Sequence, residues 1–330
     1  MIKNNHIKRL FILALLIILC LSIVVCVSVG AIDFTFSETL KGLFVADDSV
    51  ERLIIFKSRL PRIIIGGLVG IALATSGCIL QGLMRNKLAS PSTIGVTSGA
   101  SFVGYVLLVA APVYSYLLPV GTILGAFITT MLIYILSYQK GVSTGKMILA
   151  GLAVSAVFSA FNDIIKTVYS DRLSDIAGFL VGSLNGVAWS KLYLILPYVI
   201  IGVPFCLLFS KKMNILLLGD DQAKTLGLNT NLFRFLLICV SSLLAGASIA
   251  VAGMISFVGL IVPHIARIFV GSDYKYLFPT SMLLGAILVI VCDTIGRTCL
   301  STGEISVSII LSLIGAPFFL ILLRNKKVKE

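Results

Sequence analysis

The sequence predicts an all-α, polytopic membrane protein. Three observations carry that prediction. The mean hydropathy is +1.09. Hydrophobic residues make up 58% of the chain and charged residues 12%, whereas soluble domains carry about 25% charged residues. The apolar residues are also gathered into long runs near the roughly 20 residues that cross a bilayer. This composition excludes a soluble enzyme. The net charge of +12 raises the question of nucleic acid, but the placement of the charges answers it otherwise.

The first apolar run, 10–32, follows a basic start at Lys3, Lys8 and Arg9. It is longer than a secretory signal core, and membrane-like sequence follows it throughout, so it reads as an uncleaved first helix. Runs 63–84, 92–110 and 113–138 come next, the last two divided at Ala111-Pro112. Runs 147–167 and 192–210 are the fifth and sixth. The uncharged stretch 235–263 is too long for one ordinary crossing, and Gly253 and Gly259 offer a break, giving spans 235–255 and 257–270. Spans 276–296 and 305–323 complete ten. The connections are short, so residues 1–330 form a single transmembrane domain.

Ten crossings put both termini on one side. Alternating the loops collects 17 of the 26 basic residues there, against four acids. Most acids fall opposite: Asp33, Glu38, Asp47, Asp48, Glu51, Asp171, Asp175 and Glu304. The positive-inside rule then places both termini in the cytoplasm, and topology and lipid headgroups explain the net charge without nucleic acid. The seven cysteines include no CxxC pair and read as small apolar core residues, not metal ligands. An internal match relates Gly70-x-Ala72-x-Ala74-x-x-Gly77-x-Ile79 to Gly246-x-Ser248-x-Ala250-x-x-Gly253-x-Ile255. The two copies lie in spans of opposite direction, which predicts inverted-repeat halves. Small residues also recur in any close-packed membrane helices.

Several polar features interrupt this background. Arg59-Leu60-Pro61-Arg62 sets two cations beside a rigid proline on a face otherwise poor in cations. Headgroup anchoring is the plainer reading. Gln81–Gly95, with Asn86 and Leu88, is a polar inner loop broken by glycine and proline, and Ser143-Thr144-Gly145-Lys146 is a second. In Gly219–Gly227, Asp220 or Asp221 can cap a short helix containing Ala223 and Leu226, and Gly227 can end it. That helix is either a surface connector or a docking element. Asp293 and Arg297 stand four apart, where they can neutralise each other; Asp163 and Lys166 are similarly placed. In Gly253–Gly271, Pro263 lacks an N–H and should bend or end its helix near the inner face. His264 and Arg267 could then bond the freed carbonyls, or face the short helix of Gly219–Gly227. One histidine without a second ligand nearby is a poor metal site.

Taken in order, these residues resemble one family. The carriers are Arg59-x-Pro61-Arg62, the run Gly77…Gln81…Asn86-x-Leu88-Ala89-x-Pro91…Gly95…Gly99-Ala100, and Ala223-x-x-Leu226-Gly227. Gly259-Leu-Ile-Val-Pro263-His264-x-x-Arg267, Asp293…Arg297 and Gly315-Ala-Pro317-Phe318 follow. Across residues 55–324 the chain resembles a permease subunit of the iron-siderophore/vitamin B12 class of ABC importers. It departs from the family at Lys87, where proline is usual, and at Ser301–Ser306, where a proline-rich turn is usual.

The resemblance implies a homodimer or paired heterodimer of ten-helix subunits, with the substrate path along the dimer axis. It implies that Asp220–Gly227 (Asp220, Asp221, Ala223, Leu226 and Gly227) is a coupling helix seated in a separate ATPase. Arg59, Arg62 and Arg297 would bind acidic residues of an extracytoplasmic binding protein. Asn86, Leu88, Ser143, Thr144 and Gly145 would form the cytoplasmic gate. Apart from the resemblance, the helix of Pro263, His264 and Arg267 is expected to have a structural and gating role, relaying motion of the ATPase to the path. This chain would hold no cofactor; ATP and magnesium belong to the ATPase, and no Gly-rich phosphate loop with lysine stands here. Ferric siderophore is the expected substrate, with haem or cobalamin as alternatives. An intramembrane enzyme is opposed by the lack of clustered ligands or a nucleophile–base pair. A proton-coupled transporter would need Asp163 or Asp293 as relay acids, and each has a cation at helical spacing.

Overall fold

Each of the ten predicted stretches is helical in the computed structural model. The structure describes residues 2, 4–30, 34–45, 49–137, 144–173, 176–300 and 303–324. Helix α1 spans Asn5–Ser28, and the Asn4 side chain caps it by accepting from the His6 N–H. A short amphipathic helix α2, Phe36–Phe44, is held by a reciprocal capping box between Thr35 and Glu38. Helix α3, Val50–Arg52, passes through a π-helical turn, Leu53–Arg59, directly into α4, Leu60–Leu83. Helix α5 (Val96–Tyr105) also ends in a π-turn, and a 3₁₀ turn at Pro112–Leu117 leads into α6 (Leu118–Ser137). Then follow α7 (Thr144–Val168), α8 (Ala177–Val181), α9 (Trp189–Leu208), α10 (Ser210–Leu218) and α11 (Asp220–Thr225). Helices α12 (Thr230–Ala252), α13 (Val258–Val270), α14 (Tyr274–Thr298) and α15 (Val307–Arg324) complete the chain.

Among the described residues, seven helical stretches are long and apolar enough to cross a membrane, where the sequence predicts ten. Three predicted spans are shorter apolar helices: Val96–Ala110, Val258–Val270 and Val307–Ile321. The reason is geometric. The 13 residues of α13 rise about 20 Å at about 1.5 Å each, short of a hydrocarbon layer of about 30 Å.

Helix α4 is the centre of the bundle. It packs against α14, α12, α13 and α9, and nearly all its residues are buried. Its glycines permit this. A methyl on Gly70 would stand 2.2 Å from the Gly285 carbonyl oxygen on α14, and one on Gly77 would stand 1.9 Å from the Gly259 oxygen on α13. The α4–α12 contact carries a buried Ser76–Ser241 hydroxyl pair at 2.7 Å. Helices α5, α6 and α7 pack together and reach the rest through α6 on α12. Large apolar side chains on α1, α7 and α9 point outward, as a lipid-facing surface requires.

The two copies of the internal match differ in conformation. Gly70–Ile79 is helical throughout, whereas the second copy leaves α12 at Gly253, whose φ is +70°. Two further expectations are corrected. Cys20 and Cys299 are exposed, not core residues; Cys26, Cys78, Cys206 and Cys292 are buried. Asp293 pairs with Arg62 of α4, not with Arg297 on its own helix. The Asp163–Lys166 pair forms as expected, at 2.9 Å.

Candidate functional site

Polar side chains gather at two ends of the bundle. At one end, α10 turns sharply into α11 at Gly219, whose φ of +121° a side chain would oppose. Gly219, not an aspartate, occupies the N-cap of α11. Asp220 is therefore free to pair: its Oδ1 accepts from Arg234 of α12 at 2.6 Å and lies 3.8 Å from Arg85. The Arg85 guanidinium also donates to the Leu216 carbonyl at 3.0 Å. Arg85 itself sits at φ +46° where α4 ends. Ala223 is fully buried, Leu226 is 61% exposed, and Asp221 is exposed. Gly227, at φ +80°, stops the helix as expected.

The polar loop Gln81–Gly95 passes through Arg85. The Asn86 Oδ1 accepts from the Leu88 N–H at 2.9 Å, which folds the turn and leaves Leu88 42% exposed. Ser143 lies outside the described residues; Gly145 is exposed in the first turn of α7, which begins at Thr144. Pro263 does not end its helix: α13 continues to Val270, and Gly271 at φ +82° stops it. Arg267 donates to the Gln81 side chain at 3.0 Å, and Gln81 donates back to the Leu260 carbonyl at 3.1 Å. His264 is partly buried, with its ring edge-on to Phe318.

At the opposite end, Arg59, Arg62 and Arg297 are buried and held within the chain. Arg62 donates two bonds to Asp293, at 2.8 and 2.9 Å, and a third to Glu304 at 2.8 Å. Arg59 donates to the Val27 and Ser28 carbonyls and stacks on Phe34, while Arg297 donates to the Cys26 carbonyl. The pair thus covers the orphan carbonyls at the C-terminus of α1. A cavity of about 260 Å³ lies among Ser58, Arg59, Arg62, Arg297 and Glu304.

Two adjoining cavities form a hollow face beside the α12–α13 break. A cavity of about 510 Å³, lined by Ser92, Thr97, Ser256, Ser308 and Ser312, adjoins one of about 840 Å³, lined by Ser183, Asn185, Lys191, Gly253, Glu304 and Ser306. Val181 and Ile309 line both. The floor is the break between α12 and α13. There Met254 donates to the Phe179 carbonyl, Ser256 N–H to Ser308 Oγ, and Phe257 adopts φ +65°. Non-helical backbone at membrane depth persists only where protein or water satisfies it.

This geometry can be set beside known proteins. The model of the FecCD transport family matches residues 14–325. The chain belongs to the FecCD transport family. It is therefore an integral membrane protein of the cell membrane and a permease of the ABC importer type. A Fe(3+)-citrate import permease of Bacillus subtilis, YfmD, is 39% identical over 96% of this chain and 94% of its own length. The cobalamin import permease BtuC of Halobacterium salinarum is 37% identical over 84% of this chain and 75% of its own. A solved inward-facing metal-chelate type ABC transporter superposes with a TM-score of 0.86, at 32% identity, over 96% of this chain and 99% of the other.

For a FecCD permease, sequence reading missed four charged residues that organise the site: Arg85, Lys191, Arg234 and Glu304. Arg234 carried a signal as a cation just after the loop of Asp220, and Arg85 as a cation inside the polar loop Gln81–Gly95. Lys191 is a cation on the cation-poor face, a signal of the kind that singled out Arg59. The Arg62–Glu304 pairing spans 242 residues, and no local spacing encodes it.

Proposed function

We propose that this FecCD permease moves a ferric siderophore from an extracytoplasmic binding protein to the cytoplasm, driven by a separate ATPase. The hollow face carries this reading. It runs from Ser92 and Thr97 to Glu304 and follows the broken α12–α13 backbone, as a solute path would. The face is open on one side, so a second permease subunit closes the path. Ten spans with inverted-repeat halves suit this role, with α5, α13 and α15 as the short crossings and both termini in the cytoplasm.

Helix α11 serves as the ATPase coupling helix, presenting Asp221 and Leu226 while buried Ala223 seats it. Asn86, Leu88, Ser143, Thr144 and Gly145 form the cytoplasmic gate, and Pro263, His264 and Arg267 relay motion to it through Gln81. The binding protein docks at the end holding Arg59, Arg62 and Arg297. Because those arginines are engaged internally, a salt bridge to the partner requires them to exchange bonds they already make. The relative that imports cobalamin supports a second reading, in which the cargo is a tetrapyrrole. The deciding experiment is uptake of iron-55 siderophore by cells lacking other iron importers. Deleting this chain should abolish ATP-dependent uptake. Uptake that persists, or that unlabelled cobalamin or haem competes away, overturns the siderophore assignment.

A further inference from the structure

We propose that Lys191 is a charge-selecting residue of the path, making this permease favour metal chelates that carry free anionic groups. The inference rests on the importer reading and deepens it. Lys191 stands in the first turn of α9 and lines the larger cavity. Its ammonium donates to the Val251 carbonyl at 3.2 Å, in the last turn of α12, where the helix dipole favours a cation. An ammonium has three hydrogens, so two remain for the cavity.

No carboxylate lies within ion-pair distance of Lys191 among the described residues. The acid on the same wall, Glu304, is already held by Arg62. Arg59, Arg62 and Arg297 already outnumber Asp293 and Glu304 at this end, so no carboxylate there is left to neutralise Lys191. The neutral groups beside it, such as Asn185, add hydrogen-bonding capacity without charge. A single ammonium attracts an anion into the path without building a cage that would retain it, as passage requires. A carboxylate-bearing ferric chelate fits this wall; a cationic one does not.

The plainer role for Lys191 is a cap on α12, and the test separates the two. Cells retaining the complete transport system, with other iron importers deleted, are given iron-55 as ferric citrate, an anionic chelate, and as a neutral ferric trihydroxamate. Lys191→Met should lower ferric citrate uptake roughly tenfold, the scale of one charged hydrogen bond, and lower neutral chelate uptake much less. Lys191→Arg should restore the ratio. A lost cap would slow both chelates alike, so equal falls overturn the proposal. So does unchanged ferric citrate uptake, or a wild type that takes up only the neutral chelate. A wild type that takes up neither faults the importer reading itself, and the lysine assignment falls with it.

Discussion

At the residue scale, the charged side chains that face each other are the informative ones. Asp220 is gripped from α12 by Arg234, whose side chain is 6% exposed, while the aspartate is 39% exposed. Asp220→Asn should weaken that grip by about 1.5 kcal/mol, the lower end for a charge-assisted bond given the exposure of the carboxylate. The expected outcome is a several-fold fall in transport with little loss of folded protein, read by uptake and by size-exclusion yield. Normal uptake would mean that α11 is held by Ala223 alone. Arg62 and Asp293 are a different case, since both are buried. Removing Asp293 leaves Arg62 only the partly exposed Glu304, so the cost lies at or below the low end of the about 3–5 kcal/mol of a broken buried pair. Asp293→Leu should therefore lower thermal stability in detergent, and Arg62→Met in the same chain should recover part of it, since Glu304 reaches solvent. The sequence marked Arg62 as functional and paired Asp293 with Arg297, not with Arg62. Asp293 and Arg297 do stand at helical spacing; the long-range carboxylate–guanidinium fork takes precedence because two parallel bonds form in a buried site.

At the element scale, glycine placement decides how closely helices approach. Pro263 has no N–H to give the Gly259 carbonyl four residues earlier. That carbonyl instead faces Gly77 of α4, where a methyl would stand 1.9 Å away. The proline and the two glycines thus form one contact: Pro263 frees an oxygen, and Gly77 has the bare α-carbon to receive it, in the manner of a Cα–H···O bond. Gly77→Ala should destabilise the chain by about 3 kcal/mol, the upper part of the range for overpacking, because backbone and not a side-chain tip must move. Gly145→Ala is the control, since nothing lies within 4 Å of the added methyl. Melting curves of the two purified variants check this; equal melting temperatures would refute the close-contact account. Long apolar runs made the helices legible in the sequence, and Gly253 correctly marked the break between α12 and α13. Helices α2, α8 and α10 were not legible, because each is a short connection without a full apolar run. The effect of Pro263 was misread for a related reason. A proline in the second turn of a short helix loses a single bond, and packing on α4 supplies a substitute.

At the scale of the whole molecule, apolar residues serve two surfaces that composition cannot tell apart. The outward faces of α1, α7 and α9 are exposed to lipid, whereas the cavity face between α8, the α12–α13 break and α15 mixes apolar residues with serines. The serines are what make a water-filled face possible, because buried hydroxyls without partners would be costly. This distinction predicts a labelling pattern. In a chain whose cysteines are all replaced, Ser256→Cys and Ser312→Cys on the cavity face should react with a water-soluble maleimide. Leu149→Cys and Ile201→Cys, on the exposed sides of α7 and α9, should stay unlabelled in membranes. Reaction at the two leucine and isoleucine positions but not at the serines would invert the assignment of lipid and water faces, and the path would have to be sought elsewhere. Applied from one side of sealed vesicles, the same reagent also reads orientation. Asp221→Cys and Leu88→Cys should label only from the cytoplasmic side, and Glu304→Cys only from the opposite side, as ten crossings with both termini inside require. Labelling of all three from the same side would break that topology, and with it the placing of α11 beside an ATPase.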